Sequence, residues 1–164
     1  MNRLTDIKEI YRIYSQQLYF TALRITGNSF DAEEVMQDTI LKWYSFPQKE
    51  GIEKIGSWLK SVCIRKSLDK LREKHRTKEF LQEYKEEAAL PPENKNLQYS
   101  VEQIRKAILL LPDNYRTIIS LHLFEGYDYQ EIGEITGTKE TTIRSLYKRA
   151  KDRLAATIQE NKGA

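Results

Sequence analysis

The sequence predicts an all-α protein made of two small helical domains joined by a flexible linker, with a helix-turn-helix in the C-terminal domain. Apolar residues recur at helical spacings of three and four along nearly the whole chain, and no segment alternates long enough for a strand. Residues 77–100 interrupt this pattern with Pro91-Pro92, five glutamates and three lysines, as a linker does. Beyond them, two short periodic segments flank Gly137, which is typical of a helix-turn-helix.

Composition narrows the class of protein. The chain has 164 residues, 40% of them hydrophobic and 31% charged, which suits two small globular domains. Its single cysteine, Cys63, allows no internal disulfide and favours a reducing compartment. The N-terminus lacks the apolar core of a signal peptide, and no stretch approaches the ~18 apolar residues of a membrane span. We therefore expect a cytoplasmic protein that does not insert into a membrane.

The sequence contains no pattern that indicates catalysis. His75 and His122 are isolated, and Cys63 lies within a predicted helix. No metal-ligand spacing, phosphate-binding loop or nucleophile–base pair is present. We expect no catalytic residue, no metal, no cofactor and no enzymatic activity.

The N-terminal domain should contain three helices, at about residues 5–25, 29–46 and 57–74, the last two capped by Ser29 and Ser57. The second helix has an apolar side and, opposite it, a polar stripe at positions i, i+3, i+4 and i+7. This stripe fits either a protein-binding surface or an ordinary solvated acidic face. The apolar side comprises Ala32, Val35, Met36, Thr39, Trp43 and Phe46, and the stripe comprises Glu34, Gln37, Asp38 and Leu41.

The third helix is strongly basic. Residues 54–76 hold eight basic and two acidic residues, a net charge of +6. Such a patch on one element is expected of a nucleic-acid contact, although a solvated basic face looks the same in sequence. We expect Trp58 to lie in the core rather than to stack on bases. The predicted buried residues are Leu59, Val62, Cys63, Leu68 and Leu71.

The C-terminal domain should begin near Val101, with a helix ending at Leu111-Pro112 and another at about residues 114–124. Ile104, Ile108, Leu109 and Leu111 form the apolar face of the first of these. Asp128 and Glu131 have the spacing of a capping box, and Gly137 ends the short helix that follows them. A last helix starts near Lys139, with a buried stripe comprising Ile143, Leu146, Tyr147, Ala150 and Leu154.

The outer face of that last helix suits DNA. Residues 139–153 hold six basic and two acidic residues, a net charge of +4. In a helix-turn-helix the second helix enters the major groove, where arginine, lysine, serine and threonine contact bases or phosphates. The alternative is a structural helical hairpin with a basic outer face. The residues opposite the buried stripe are Thr141, Ser145 and Lys148, flanked by Arg144 and Arg149.

Three segments resemble the sigma-70 family, in particular its extracytoplasmic-function (ECF) branch. The segment LPDNYRTIISLHLFEGYDYQEIGEITGTKETTIRSLYKRAKDRL resembles the family's C-terminal promoter-reading domain. The segment LRITGNSFDAEEVMQDTILKWY resembles its polymerase-docking region, and SWLKSVCIRKSLDKLREKHR resembles its melting and −10 region. The sequence departs from the family at Gly133, where alanine is usual, and at Arg65, where asparagine is usual.

The resemblance implies a region 2 domain at residues 1–76, a linker at 77–100 and a region 4 helix-turn-helix domain at 101–164. It implies a sigma factor for promoter-specific transcription initiation, serving a stress or envelope-signal regulon. The implied partners are core RNA polymerase, through its β′ clamp helices and β flap, promoter DNA, and an anti-sigma factor. The alternative is a stand-alone helix-turn-helix regulator that binds duplex DNA as a dimer.

The resemblance also assigns site residues. The polymerase-binding positions are Glu34, Gln37, Asp38 and Leu41. The positions for −10 DNA are Lys60, Ser61, Arg65, Lys66 and Arg72. The positions for −35 DNA are Thr141, Thr142, Arg144, Ser145, Lys148 and Arg149.

Overall fold

A computed structural model describes residues 6–47, 51–77, 79–82 and 98–161, and every regular element in these ranges is helical. The predicted all-α class is therefore confirmed. Within the same ranges, no helix is long and apolar enough to cross a membrane. The elements are α1 (Ile7–Thr26), α2 (Ser29–Ser45), α3 (Ile55–His75), a 3₁₀ turn (Phe80–Gln82), α4 (Val101–Leu109), α5 (Asp113–Ile119), a π-helical turn (Ser120–Phe124), α6 (Tyr129–Thr136) and α7 (Glu140–Asn161).

The chain divides into two compact units, Met1–Arg76 and Thr77–Ala164. In the first unit, α1, α2 and α3 all pack against one another. Trp58 packs on this core, with its ring centroid 5.1 Å from that of Trp43 and 5.2 Å from that of Phe46. This packing agrees with the core role predicted for Trp58. The central buried side chains are Ile10, Leu18, Ala22, Ala32, Val35, Met36, Ile40, Trp43, Ile55, Leu59 and Cys63.

Two predicted helix caps in the first unit are wrong. Asn28, not Ser29, caps α2: it has extended backbone, and its Oδ1 accepts from Asp31 N at 3.0 Å. Ser29 is already the first helical residue. Helix α3 begins at Ile55 rather than Ser57 and has no side-chain cap. Packing of Ile55 into the core extends the helix by one half-turn beyond the position that capping rules favour.

In the second unit, α7 packs against α4, α5 and α6. The predicted capping box is confirmed, since Asp128 accepts from Glu131 N at 2.7 Å and Glu131 accepts from Asp128 N at 3.1 Å. The helix predicted at 114–124 is instead α5 followed by the π-helical turn. Leu109 was expected on the buried face but is 44% exposed, because α4 turns Ala107 and Ile108 inward.

The segment that precedes α4 in the second unit also contributes to its core. A flexible linker was expected at 77–100, but the structure has the 3₁₀ turn at Phe80–Gln82, and residues 83–97 lie outside the described ranges. Phe80 and Leu81 are buried, and the turn packs against α5. The beginning of the predicted linker is thus a packed part of the second unit.

Candidate protein-binding and nucleic-acid interfaces

The outer face of α2 carries the predicted polar stripe. Gln37, Asp38 and Leu41 are exposed. The side chain of Glu34 is only 44% exposed, because its Oε2 accepts a hydrogen bond from Lys70 Nζ of α3 at 2.8 Å. This hydrogen bond is the main reason that the pKa of Lys70 is raised. Glu34 therefore lies at the edge of the stripe, linked to the neighbouring helix.

Sequence reasoning missed two apolar members of this face. Phe30 is 76% exposed, and Tyr44 is also largely exposed. Together with Glu34, Gln37 and Leu41 they follow positions i, i+4, i+7, i+11 and i+14, which form one continuous stripe along α2. Extending the predicted spacing by one turn in each direction would have found them. We call this set of five residues, with Asp38, the α2 face.

The outer face of α3 is narrower than the sequence indicated. Ser61 and Arg65 are exposed, and Arg72 lies on the same side of the helix, at i, i+4 and i+11, with its side chain only 24% exposed. Lys60 and Lys66 lie on opposite edges of this side and are half-buried. The structure thus brings together three of the five residues proposed for −10 DNA and places two at the margins.

Acidic groups accompany the basic residues of α3. Arg72 Nη1 donates to Asp69 Oδ1 at 3.3 Å, and Lys70 donates to Glu34 as described above. Each of these contacts offsets part of the positive charge of the helix. The net charge of +6 for residues 54–76 already includes Asp69 but not Glu34 of α2, so it overstates the positive field of α3 by the contribution of Glu34.

Helix α7 separates its two faces as predicted. Every residue of the predicted apolar stripe, from Ile143 to Leu154, is buried. Thr141, Ser145 and Lys148 are exposed at i, i+4 and i+7, with the exposed Arg144 and Arg149 beside them. Thr142 is half-buried at the margin. The structure therefore gathers five of the six residues proposed for −35 DNA on the solvent side of α7.

The turn before α7 explains a departure from the family pattern. Gly137 has φ +73°, which favours glycine, and both Gly137 N and Thr138 N donate to the Gly133 carbonyl. A Cβ on Gly133 would lie 2.6 Å from the Thr138 carbonyl oxygen. The chain passes so close to α6 that glycine at position 133 suits this turn better than alanine. This tight turn sets where α7 begins.

Within the described ranges, no group of three or more histidine, cysteine, aspartate or glutamate side chains could hold a metal ion. Cys63 is buried in the first unit, where its Sγ donates to the Leu18 carbonyl at 3.3 Å. Its environment is that of a small core residue. The charged surfaces of α2, α3 and α7 are therefore the candidate functional sites.

Comparisons with protein families agree with both units. The family model described as Sigma-70 region 2 matches residues 10–77, and the one described as Sigma-70, region 4 matches residues 101–154. RNA polymerase sigma factor SigV of Bacillus subtilis is 30% identical over 145 residues, which cover 84% of this chain and 81% of that protein. ECF RNA polymerase sigma factor SigM of Bacillus subtilis is 26% identical, covering 92% of this chain and 93% of that protein.

Two further comparisons concern length and fold. ECF RNA polymerase sigma factor SigE of Mycolicibacterium smegmatis is 28% identical over 89% of this chain, but the match spans only 59% of that protein. Among solved structures, the sigma factor RpoE of Bartonella quintana, crystallised in complex with the anti-sigma factor NepR, gives a TM-score of 0.59. It is 22% identical, with 93% of this chain and 96% of that chain covered. At this identity the likeness concerns the fold.

Proposed function

The chain belongs to the ECF branch of the sigma-70 family, whose members are sigma factors that direct RNA polymerase in transcription initiation, and we propose a division of labour between its two units. The first unit, residues 1–76, docks on core polymerase and opens the −10 region. The second unit, with its helix-turn-helix in residues 101–164, reads the −35 element. Residues 77–100 connect them, although the segment at Phe80 and Leu81 packs with the second unit.

Docking through the α2 face is supported by its mixture of acidic and apolar side chains. Phe30, Leu41 and Tyr44 expose apolar area that a partner can bury, and Leu41 has Gln37 and Asp38 as neighbours. Protein interfaces commonly combine a buried aromatic or aliphatic centre with a charged rim that steers association. We assign this face to the β′ clamp helices of the polymerase. A basic surface on the partner would complement Glu34 and Asp38.

Contact with −10 DNA is assigned to the outer face of α3. Arg65 is exposed between Ser61 and Arg72 on one side of the helix, where a single DNA strand could follow it. Lys60 and Lys66 are proposed to contact phosphates from the edges of this face. Because Trp58 packs on Trp43 and Phe46, we do not assign it a role in stacking on bases.

Reading of −35 DNA is assigned to α7. Thr141, Arg144 and Ser145 lie near the N-terminal end of the helix, the part that reaches base edges in a helix-turn-helix. Lys148 and Arg149 lie one turn further along and are suited to phosphates. Thr142 lies at the margin and is proposed to contact the DNA backbone.

The observation that carries the proposal is an exposed face of mixed acidic and apolar side chains in one compact unit and a helix-turn-helix with an exposed basic face in the other. A stand-alone dimeric regulator would use the helix-turn-helix, but it would have no need of the α2 face or of a basic α3. Run-off transcription with purified core polymerase on genomic promoter fragments tests this. A sigma factor should give discrete transcripts only when core polymerase is present. Binding to palindromic duplex DNA without polymerase, and no transcripts with it, would support the regulator instead.

Control of this protein by an anti-sigma factor, and a stress or envelope-signal regulon, are further parts of the proposal. The likeness to RpoE, which was crystallised with the anti-sigma factor NepR, supports it at the level of fold. The β flap of the polymerase is proposed to bind the second unit. Co-purification from cells under inducing and non-inducing conditions would identify an anti-sigma partner, and a chain recovered only with polymerase subunits would argue against one.

A further inference from the structure

Arg144 is held in place on the surface of α7 by two neighbours. Its guanidinium carbon lies 5.1 Å from the centroid of the Tyr129 ring, and its Nη2 donates to Glu140 Oε1 at 2.9 Å. The side chain nevertheless remains 61% exposed. The contact with Glu140 uses one of the five N–H donors of the guanidinium, so four remain, and two of these are enough to bind a base edge.

The Tyr129 ring is itself fixed by an aromatic cluster. It stacks on His122, with 4.9 Å between ring centroids and 22° between planes, and lies 5.7 Å from the Tyr147 ring. His122 is anchored in turn, because its Nδ1 lies 2.8 Å from the Tyr127 carbonyl oxygen and its ring meets Tyr147 edge-on at 4.5 Å. Burial of Tyr147 raises the pKa of its phenol, as expected for a ring packed in the core.

The rings of this cluster come from the π-helical turn, α6 and α7, so the position of Tyr129 is set by the packing of the whole helix-turn-helix. An exposed arginine ordinarily samples many rotamers and loses that freedom when it binds. A platform that already restricts the guanidinium reduces this loss for the one orientation it favours. It therefore affects recognition even though it does not touch DNA.

We propose that Tyr129 and Glu140 are positioning residues that orient Arg144 for one base pair of the −35 element, and thereby help to set promoter specificity. The proposal rests on the function proposed above for α7. A guanine offers two acceptors, O6 and N7, in the major groove, and a bidentate arginine contact with them is sensitive to orientation. Tyr129 supplies the plane on which the guanidinium rests, and Glu140 restrains its rotation.

The test is selection over a randomised −35 library by holoenzymes that contain the full-length chain. Arg144→Ala first identifies the base pair that Arg144 reads. Tyr129→Leu, which removes the aromatic face, should reduce the preference at that same base pair by about 2- to 5-fold, the size of an exposed cation–π contact. Tyr129→Phe keeps the ring and should select like the parent chain. Tyr129→Leu combined with Arg144→Ala should select like Arg144→Ala alone, since the platform then has nothing to position.

Glu140→Gln provides a second variant that does not alter the aromatic cluster, in case Tyr129→Leu unfolds the helix-turn-helix. It should lower the preference at the same base pair by about 2-fold. If Arg144→Ala relaxes one base pair but a folded Tyr129→Leu and Glu140→Gln both leave it unchanged, the positioning role is overturned while the function of α7 stands. If Arg144→Ala alters no base preference at all, the positioning role and the assignment of Arg144 as a reader are both overturned.

Discussion

Helices α3 and α7 are both long and basic, yet the parts of them that carry the proposed DNA contacts bury different shares of the helix circumference. In α3, the consecutive residues Val62, Cys63 and Ile64 are all buried, and three consecutive positions span about 200° of a helix. In α7, the buried residues from Ile143 to Leu154 keep to a stripe about 100° wide, and the buried side widens only beyond it, at Ala156, Thr157 and Ile158. As a result, Lys60 and Lys66 of α3 are half-buried, whereas the basic residues on the outer face of α7 are exposed.

The two units also complete their cores differently. Two helices, α1 and α2, are enough to cover the wide buried side of α3, whereas α5, which packs against α7, also receives Phe80 and Leu81 from the segment before α4. A count of lysines and arginines therefore predicts that a helix is basic, but not how many of its charges reach a ligand. That number depends on how wide a side of the helix its neighbours cover, since two helices cover a wide side of α3 and three cover a narrower side of α7 up to Leu154.

The largest expected effect on stability concerns the Phe80–Gln82 segment of the second unit. Phe80→Ala should destabilise that unit by about 3–5 kcal/mol, because it empties a buried site against α5. Both tryptophans, Trp43 and Trp58, lie in the first unit, so their fluorescence reports that unit alone. Denaturant unfolding should show an early loss of part of the circular dichroism signal with an unchanged fluorescence midpoint.

The matched control for this change is Phe30→Ala, which removes a ring that is 76% exposed and should alter stability by less than about 0.5 kcal/mol. An unchanged dichroism transition for Phe80→Ala would mean that the segment is not part of the second unit. The second unit would then not differ from the first in needing a segment outside its long helices to complete its core.

The next effect tests the wide buried side of α3. Ile64→Ala should destabilise the first unit by about 2–5 kcal/mol, because Ile64 is fully buried on the side that sequence periodicity did not assign to the core. The tryptophan fluorescence midpoint in denaturant measures it. Ile13→Ala is the control, since Ile13 is exposed on α1 of the same unit. Equal midpoints for the two variants would indicate that α3 buries only a narrow stripe, like α7 between Ile143 and Leu154.

A smaller effect is expected at the turn that sets the start of α7. Gly133→Ala adds a methyl group 2.6 Å from the Thr138 carbonyl oxygen, and overpacking of this kind costs about 1–3 kcal/mol. The better helix propensity of alanine offsets about 1 kcal/mol of this cost. The second unit should therefore lose up to about 2 kcal/mol of unfolding free energy. Gly51→Ala is the control, because nothing lies within 4 Å of a Cβ built there. A thermal melt that rises for Gly133→Ala would contradict the close approach.

For the α2 face, Glu34→Arg with Asp38→Arg should weaken binding to core polymerase, by about tenfold if about 1.4 kcal/mol of contact energy is lost. The structure separates two contributions, since only Glu34 pairs with Lys70. Asp38→Arg alone tests docking without disturbing that ion pair. Affinity for core polymerase should be measured at low salt, where charge contributes most.

Reversal of Glu53 and Glu73 to arginine makes the same change of charge elsewhere in the first unit and serves as the control. If the reversals on α2 and these controls weaken binding equally, the effect comes from total charge. The α2 face would then have no special role in docking.

The smallest expected effect is at the ion pair that links α2 to α3. Lys70→Gln should change stability by no more than about 1 kcal/mol, because both partners remain partly exposed. The pKa of Lys70 is raised in the folded protein, so this contribution is complete below the unfolded lysine pKa of about 10.4 and fades as the pH rises through the folded value. Tryptophan fluorescence midpoints near neutral pH measure it, with Lys42→Gln, at an exposed position of α2 in the same unit, as control. A loss well above 1 kcal/mol would show that the pair is better shielded from water than its exposure indicates.

Local rules were enough for much of this protein. The helical class, the capping box of Asp128 with Glu131, the end of α6 at Gly137 and the buried stripe of α7 all follow from residues within one or two turns of one another. The resemblance to the sigma-70 family likewise depended on short motifs in a fixed order. Such features are readable from sequence because their causes are local.

Other features depended on neighbours distant in the chain. Burial of Ile64 and exposure of Leu109 follow from which helices pack on α3 and α4, and the pairing of Glu34 with Lys70 joins residues 36 positions apart. The packing of Phe80 against α5 and the cation–π contact of Arg144 with Tyr129 likewise require the folded second unit. Periodicity predicts which side of each helix faces the core. Tertiary packing decides how wide that buried side is and which side chains of neighbouring helices contact one another.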